Sequence, residues 1–181
     1  MSEAPSASGS DTWVLNAVTR ERIRRSRALY PWPRSAVLPA LWAVQDQLGF
    51  LPPEGLVEVA AELGLQPAEV EAVSTFYSMY FQQQPGRHLI QVCRNVSCGL
   101  RGADQLLADL ENLLQVSDGQ TTEDGVFTLE GTVECLGACG GAPMMQVDRL
   151  SYEDLDLEGA RQVLAQIRAA SSSAPGANPD A

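Results

Sequence analysis

The chain contains no lysine, only one histidine (His88), and no apolar run approaching the ~20 residues of a membrane span. Each absence removes a class of function. A Rieske centre needs two histidines on one iron, and a single histidine closes that option. No G-x-G-x-x-G opens a helix and no P-loop is present, so hydride chemistry on a bound nucleotide belongs to another chain. No Cys-x-x-Cys stands at a helix N-terminus, as a thiol–disulfide oxidoreductase would want. The N-terminus has no apolar secretory segment, which predicts a cytosolic protein whose cysteines stay reduced. The net charge of −11 and a pI near 4.4 oppose non-specific binding to nucleic acid or an anionic membrane.

What charge there is lies unevenly. Residues 1–34 hold six Arg against three acids, and the remainder six Arg against 20 acids. The run Arg20-Glu-Arg-Ile-Arg-Arg-Ser-Arg27 reads as a solvated helix face more readily than as a docking helix. Length and the 45% apolar fraction suit one globular domain with a small helical attachment.

The chemistry is concentrated in four cysteines, the only ones in the chain. They form two windows, Cys93-Arg-Asn-Val-Ser-Cys98 and Cys135-Leu-Gly-Ala-Cys139, separated by 36 residues. Each pair can bind one metal ion from a single loop. Two bidentate thiolate loops suit a [2Fe–2S] cluster, in which each iron takes two protein sulfurs. A zinc site built from all four thiolates is the rival reading, although such sites more often space their cysteines by two residues.

The hydrophobic pattern divides the chain in two. A helix is expected from Ala17 to the Tyr30-Pro31 break, since proline disfavours helix at its predecessor. Ser35 is expected to cap a second helix over Ala36–Leu48, closed by Gly49. Pro52-Pro53 opens a third, ended by Gly64, and Pro67 a fourth that carries Val70, Val73, Phe76, Tyr77 and Tyr80. From Glu54 to Glu71 there are five Glu and no basic residue, so these short helices do not form a DNA reader. The aromatics from Phe76 to Phe81 read as core or interface packing rather than a flavin or relay site.

After Pro85-Gly86 the period changes. Strands are expected over His88–Cys93, Val126–Glu134 and Pro143–Val147, with helices over Ala103–Val116 and Leu157–Ala169. Both ligand loops then follow strands. Pro143 could be cis or trans, and His88 has no assigned role. The expected organisation is a tail over 1–16, a helical bundle over 17–82, an α/β unit over 83–170 and a tail over 171–181. The tails are expected to be disordered for want of apolar residues.

Several runs together carry a resemblance. They are Tyr30-Pro with Arg34-Ser-Ala-Val-Leu-Pro-Ala-Leu-Trp42, Gly49-Phe-Leu-Pro52, Thr75-Phe-Tyr-Ser-Met-Tyr80, Val92–Cys98 and Val133–Val147. In these the chain resembles the small [2Fe–2S] subunit of the NADH-oxidising module of respiratory complex I, over about Arg20 to Ile167. The resemblance implies an α+β fold, with an N-terminal helical bundle and a thioredoxin-like ferredoxin domain. It implies one [2Fe–2S] cluster, with Cys93 and Cys98 on one iron and Cys135 and Cys139 on the other. It implies single-electron exchange with the FMN of an NADH-binding partner subunit, beside a neighbouring iron–sulfur subunit. The enzyme is then NADH:quinone oxidoreductase, this chain holding no catalytic residue and no membrane insertion of its own. Its place would be the peripheral arm on the cytoplasmic face of the inner membrane. The equivalent diaphorase subunit of an NAD-linked formate dehydrogenase or hydrogenase carries the same motifs. The N-terminal tail and Gly140-Gly141 depart from the family pattern without removing a ligand. Beside the site, Glu134 is expected to lower the potential and Arg94 and Arg101 to raise it.

Overall fold

The computed structural model describes residues 15–173. Of the tails expected over 1–16 and 171–181, residues 1–14 and 174–181 lie outside the described residues. The chain is α+β and divides into two compact units between Gln84 and Pro85.

The first unit is helical: α1 (Ala17–Leu29), α2 (Val37–Leu48), α3 (Pro53–Leu63) and α4 (Pro67–Phe76). Their boundaries follow local chemistry. The Asn16 side chain caps α1, accepting from the Thr19 backbone N–H at 2.8 Å. Gly49 (φ 83°) and Gly64 (φ 67°) end α2 and α3 in the left-handed region that glycine tolerates best. Prolines occupy the first turns of α3 and α4, where a missing N–H costs little. Ile23, Leu41, Val44, Val59 and Val70 meet in the core. Leu15 is buried too, so ordered structure begins inside the stretch expected to be a tail.

Two expectations fail here. Ser35 caps nothing, because Pro33 starts a short 3-10 turn over Pro33–Ala36 and Ser35 is absorbed in it, donating its N–H to the Trp32 carbonyl. Helix α4 stops at Phe76, so Tyr77 and Tyr80 lie beyond it. What holds them is Gln45, a buried side chain of α2. It donates to the Met79 carbonyl at 3.0 Å and accepts from the Phe81 N–H at 2.8 Å. Tyr80 is buried, its hydroxyl on the Leu38 carbonyl at 2.9 Å, and burial pushes its pKa up to about 12. Phe76 faces out.

The basic run lies largely on a solvated face, as expected, but three of its arginines also tie α1 to its neighbours. Arg20 reaches Glu58 (2.6 Å) and Glu62 (2.7 Å), Arg22 reaches Asp46 (2.7 Å) and Arg24 reaches Glu62 (3.0 Å), fastening α1 to α3 and α2. Hydrogen bonds from Arg20 and then Arg24 hold the Glu62 carboxyl below its ordinary value of 4.5. A depressed carboxylate contributes stability that is complete above its unfolded pKa and is lost as pH falls through the folded one. Glu62→Gln is therefore expected to lower the thermal midpoint of this unit at pH 7 by about 4–8 °C, the shift that roughly 1 kcal/mol makes at this size. Melting curves of the two proteins should converge as the pH is taken well below 4.5. A gap that persists undiminished in acid would assign the loss to packing instead of charge.

The second unit is a four-stranded sheet of order β2-β1-β3-β4, made of β1 (His88–Cys93), β2 (Phe127–Thr132), β3 (Met145–Val147) and β4 (Leu150–Tyr152). Strands β1 and β2 run parallel, with Cys93 opposite Thr132 at the end of the ladder, and β3 is antiparallel to β1. Three helices complete it: α5 (Val96–Leu100), α6 (Ala103–Leu114) and α7 (Leu157–Ser173). Leu106, Leu107 and Leu110 of α6 and Ala160 and Leu164 of α7 pack with Ile90, Phe127, Leu129 and Met145 of the sheet. Helix α7 runs on through Ser171, again into an expected tail.

His88 fastens that end. Its Nδ1 faces the Asp148 carboxylate and its Nε2 lies 2.5 Å from Ser171 Oγ. The order Asp–His–Ser is that of a hydrolytic triad, but the chemistry is opposed. The Ser171 hydroxyl donates to the Ile167 carbonyl at 2.9 Å, and it sits in the last turns of a helix, where carbonyls repel an oxyanion. Arg87 binds the Ser171 carbonyl at 3.0 Å. The constellation joins α7 to the start of β1 and the turn after β3.

Candidate metal centre

The parallel pairing of β1 and β2 decides the site. Two parallel neighbours end on the same edge, so the loops that follow them emerge side by side. Cys93 is the last residue of β1. The chain then turns into α5, a single short helix that carries Cys98 inward. Strand β2 ends at Thr132, and the loop beyond it brings Cys135, then Cys139 at the start of a 3-10 turn over Cys139–Gly141. Sequence periodicity places the end of this strand too late, at Glu134. Beyond that loop, Pro143 follows a cis peptide bond and leads into β3.

All four expected ligands come together, but not equally. Cys93 and Cys98 are buried, packed with Ala103, Ala142 and Met144. Cys135 and Cys139 are exposed, with their sulfurs 3.3 Å apart. Cys93 Sγ reaches back to the Glu134 carbonyl at 3.8 Å, across the two loops.

The electrostatics follow this asymmetry. Burial, and then the hydrogen bond to Cys93, push the Cys98 thiol up, while the Met144 backbone N–H pulls the other way. The Gly137 backbone N–H, and after it the Cys139 thiol, bring the Cys135 thiol down. Cys139 is raised by donating to Cys135, and it also feels Cys93. Backbone N–H groups thus point at sulfur from both sides of the site, a setting that favours thiolate and accumulated negative charge. Gly137 adopts φ 90° in mid-loop, a backbone shape that lets its N–H turn toward Cys135.

The donor set is four thiols from two loops, all sulfur and free of histidine, which are the ligands that iron–sulfur clusters take. It fits a [2Fe–2S] cluster.

Of the charged neighbours, Arg94 donates through Nε to Asp104 at 2.7 Å, which cancels much of the positive field expected from it at the site. The residue that sequence reasoning missed is Asn95. Its side chain accepts from the Val96 N–H at 2.9 Å and donates to the Val133 carbonyl at 2.8 Å, linking the two loops. An Asn two residues after a strand's end signals a cap, but nothing in sequence announces the second bond.

Known proteins resemble this chain. The profile of the thioredoxin-like [2Fe–2S] ferredoxin family matches residues 23–168. The second E-type chain of the NADH-quinone oxidoreductase of Rhizobium meliloti is 45% identical over 151 residues, covering 83% of this chain and 89% of the relative. The E-type chain of the same enzyme in Escherichia coli K12 is 38% identical over 159 residues, covering 88% and 95%. Among solved structures, an NAD+-reducing [NiFe]-hydrogenase in the H2-reduced state superposes with a TM-score of 0.61 at 26% identity. That match covers 72% of this chain but only 22% of the hydrogenase chain.

Proposed function

The chain belongs to the thioredoxin-like [2Fe–2S] ferredoxin family, as the E-type component of NADH-quinone oxidoreductase, and from that premise we propose how its residues serve electron transfer. Cys93 and Cys98 hold one iron and Cys135 and Cys139 the other. The observation that carries this is the meeting of both cysteine loops at the shared edge of two parallel strands. The cluster, when bound, supplies one-electron exchange. The chain's own part is to hold four thiolates, to aim the Met144 and Gly137 N–H groups at sulfur, and to bury one side of the site. Those N–H groups offset the charge that four thiolates and an added electron bring together.

The partners are the FMN- and NADH-binding subunit and the neighbouring iron–sulfur subunit of the same complex. The lack of any nucleotide-binding motif supports this, since hydride must be handled elsewhere. So do exposed apolar side chains on the two ligand-bearing segments: Val96 and Leu100 on α5 and Val133 before Cys135 are 72%, 84% and 70% exposed, a feature suited to a protein surface. The chain sits in the peripheral arm on the cytoplasmic face of the membrane; among the described residues no helix is long and apolar enough to cross a bilayer. Likeness to an NAD+-reducing hydrogenase supports the diaphorase subunit as the second reading, although the NADH-quinone oxidoreductase relatives align over nearly their whole length.

Iron and acid-labile sulfide analysis of anaerobically purified protein, with EPR after dithionite reduction, tests the site. Equal iron and sulfide with a one-electron rhombic signal is the expected result. Stoichiometric zinc without sulfide, even after reconstitution, would overturn it. For these apolar side chains, the double variant Leu100→Glu/Val133→Glu is expected to weaken binding to the FMN-bearing partner by about tenfold or more, on the order of hot-spot losses, with its EPR signal intact. Wild-type affinity in that variant would place the docking surface elsewhere.

A further inference from the structure

We propose that Asn95 is a positioning residue that sets the spacing between the two ligand loops; the inference rests on the cluster reading above. The parallel ladder of β1 and β2 makes its last backbone bond from the Arg94 N–H to the Thr132 carbonyl at 2.8 Å. Beyond it the first chain leaves the strand direction, because Asn95 begins α5 and its own carbonyl accepts from the Gly99 N–H at 2.8 Å. The segment after β2 has left the ladder as well, and there Asn95 Nδ2 donates to the Val133 carbonyl at 2.8 Å. A side chain thus ties the two segments together after the backbone ladder has ended.

The other end of the same amide is equally committed. Asn95 Oδ1 accepts from the Val96 N–H at 2.9 Å, stabilising the start of the helix that carries Cys98. One planar group therefore touches both sides of the site, two residues after Cys93 and two before Cys135. Packing does not duplicate the link, since the Val96 and Val133 side chains are both exposed. The task is also specific to an amide. Aspartate and serine retain an acceptor for Val96, but neither matches the amide's reach and donor toward the Val133 carbonyl: the carboxylate has no N–H, and the serine hydroxyl is one bond too short.

Four thiolates hold a metal centre well only when both loops stand at the right separation, and residues that orient ligands commonly govern affinity by roughly 10–100-fold. The test uses the full-length chain, with Asn95→Ser and Asn95→Asp as the variants. Both retain the helix cap and lose the bridge, and the serine variant does so without new charge. After anaerobic reconstitution, iron release to a chelator should be about tenfold faster in both, the factor that one lost hydrogen bond supports. The reduced EPR signal should broaden or shift its g-values, which a merely structural role would not produce. Circular dichroism of the apo forms should match wild type. If the serine variant folds poorly, the aspartate variant carries the test, because a carboxylate caps a helix at least as well. Release rates within about twofold of wild type with an unchanged signal would overturn the bridge, since that difference is smaller than a typical hydrogen bond's worth. Wild-type protein that takes up no cluster would sink the underlying reading instead.

Discussion

Replacing Cys98 with alanine is expected to leave a folded chain with no reduced EPR signal and iron below about a tenth of wild type, because an unfilled ligand position in a buried site has no ready substitute. Cys98 is 2% exposed and packed with Ala103, Ala142 and Met144, which leaves water little access to complete the iron's coordination. The cavity left by a removed sulfur is small and apolar, which leaves the apo fold intact and isolates the effect to metal binding. Cys139→Ala is the informative contrast. Cys139 is exposed, and solvent oxygen can take its place, so this variant is expected to retain part of its iron with an altered spectrum. Visible absorbance, iron analysis and EPR on the two variants, reconstituted side by side, check the pair. Equal losses would mean that burial does not grade the ligands, and full iron in the Cys98 variant would remove Cys98 from the ligand set.

Gly141→Ala should be the most damaging single methyl addition near the site. A Cβ built at Gly141 would lie 2.6 Å from the Glu153 Cβ, a fixed point of the neighbouring backbone and not a mobile side-chain tip. The two segments cannot part freely. The Asp154 N–H binds the Gly141 carbonyl at 2.6 Å and the Leu155 N–H binds the Pro143 carbonyl at 3.0 Å. Overpacking of this kind costs about 1–3 kcal/mol, and here the strain falls on the turn that presents Cys139. The expected result is a lower melting temperature together with faster cluster loss. Glu153→Gly, which removes the opposing Cβ, should restore much of both in the double variant. If the double variant is no better than Gly141→Ala alone, the clash is not the cause.

The sequence disclosed the elements better than it disclosed their partners. Glycine and proline marked the limits of α2, α3 and α4, because a left-handed end and a missing N–H are local matters. The four ligands were visible as two close pairs. Whether the pairs meet depended on β1 and β2 being neighbours, a long-range pairing that no local pattern contains. Strand β4 escaped notice because its three residues are too few for a period of two to declare itself. Ser35 misled because a capping residue is read one position at a time, whereas Pro33 had already fixed the turn. The ties made by the arginine run of α1 stayed hidden since its carboxylate partners, Asp46, Glu58 and Glu62, lie 24–42 residues away. Asn95 was legible as a cap and illegible as a bridge for the same reason.

His88 is the only imidazole the chain possesses. It stands where α7 is tied to β1 and to the turn after β3, through Ser171 and Asp148. Nature has thereby installed a solitary magnetic label. Its ring protons should give one isolated set of resonances in a proton spectrum free of any other histidine. Shifts of that set would register the loosening of helix α7 on heating or on docking to another protein. No isotope tag or foreign probe would be required, and the cysteines could be left untouched.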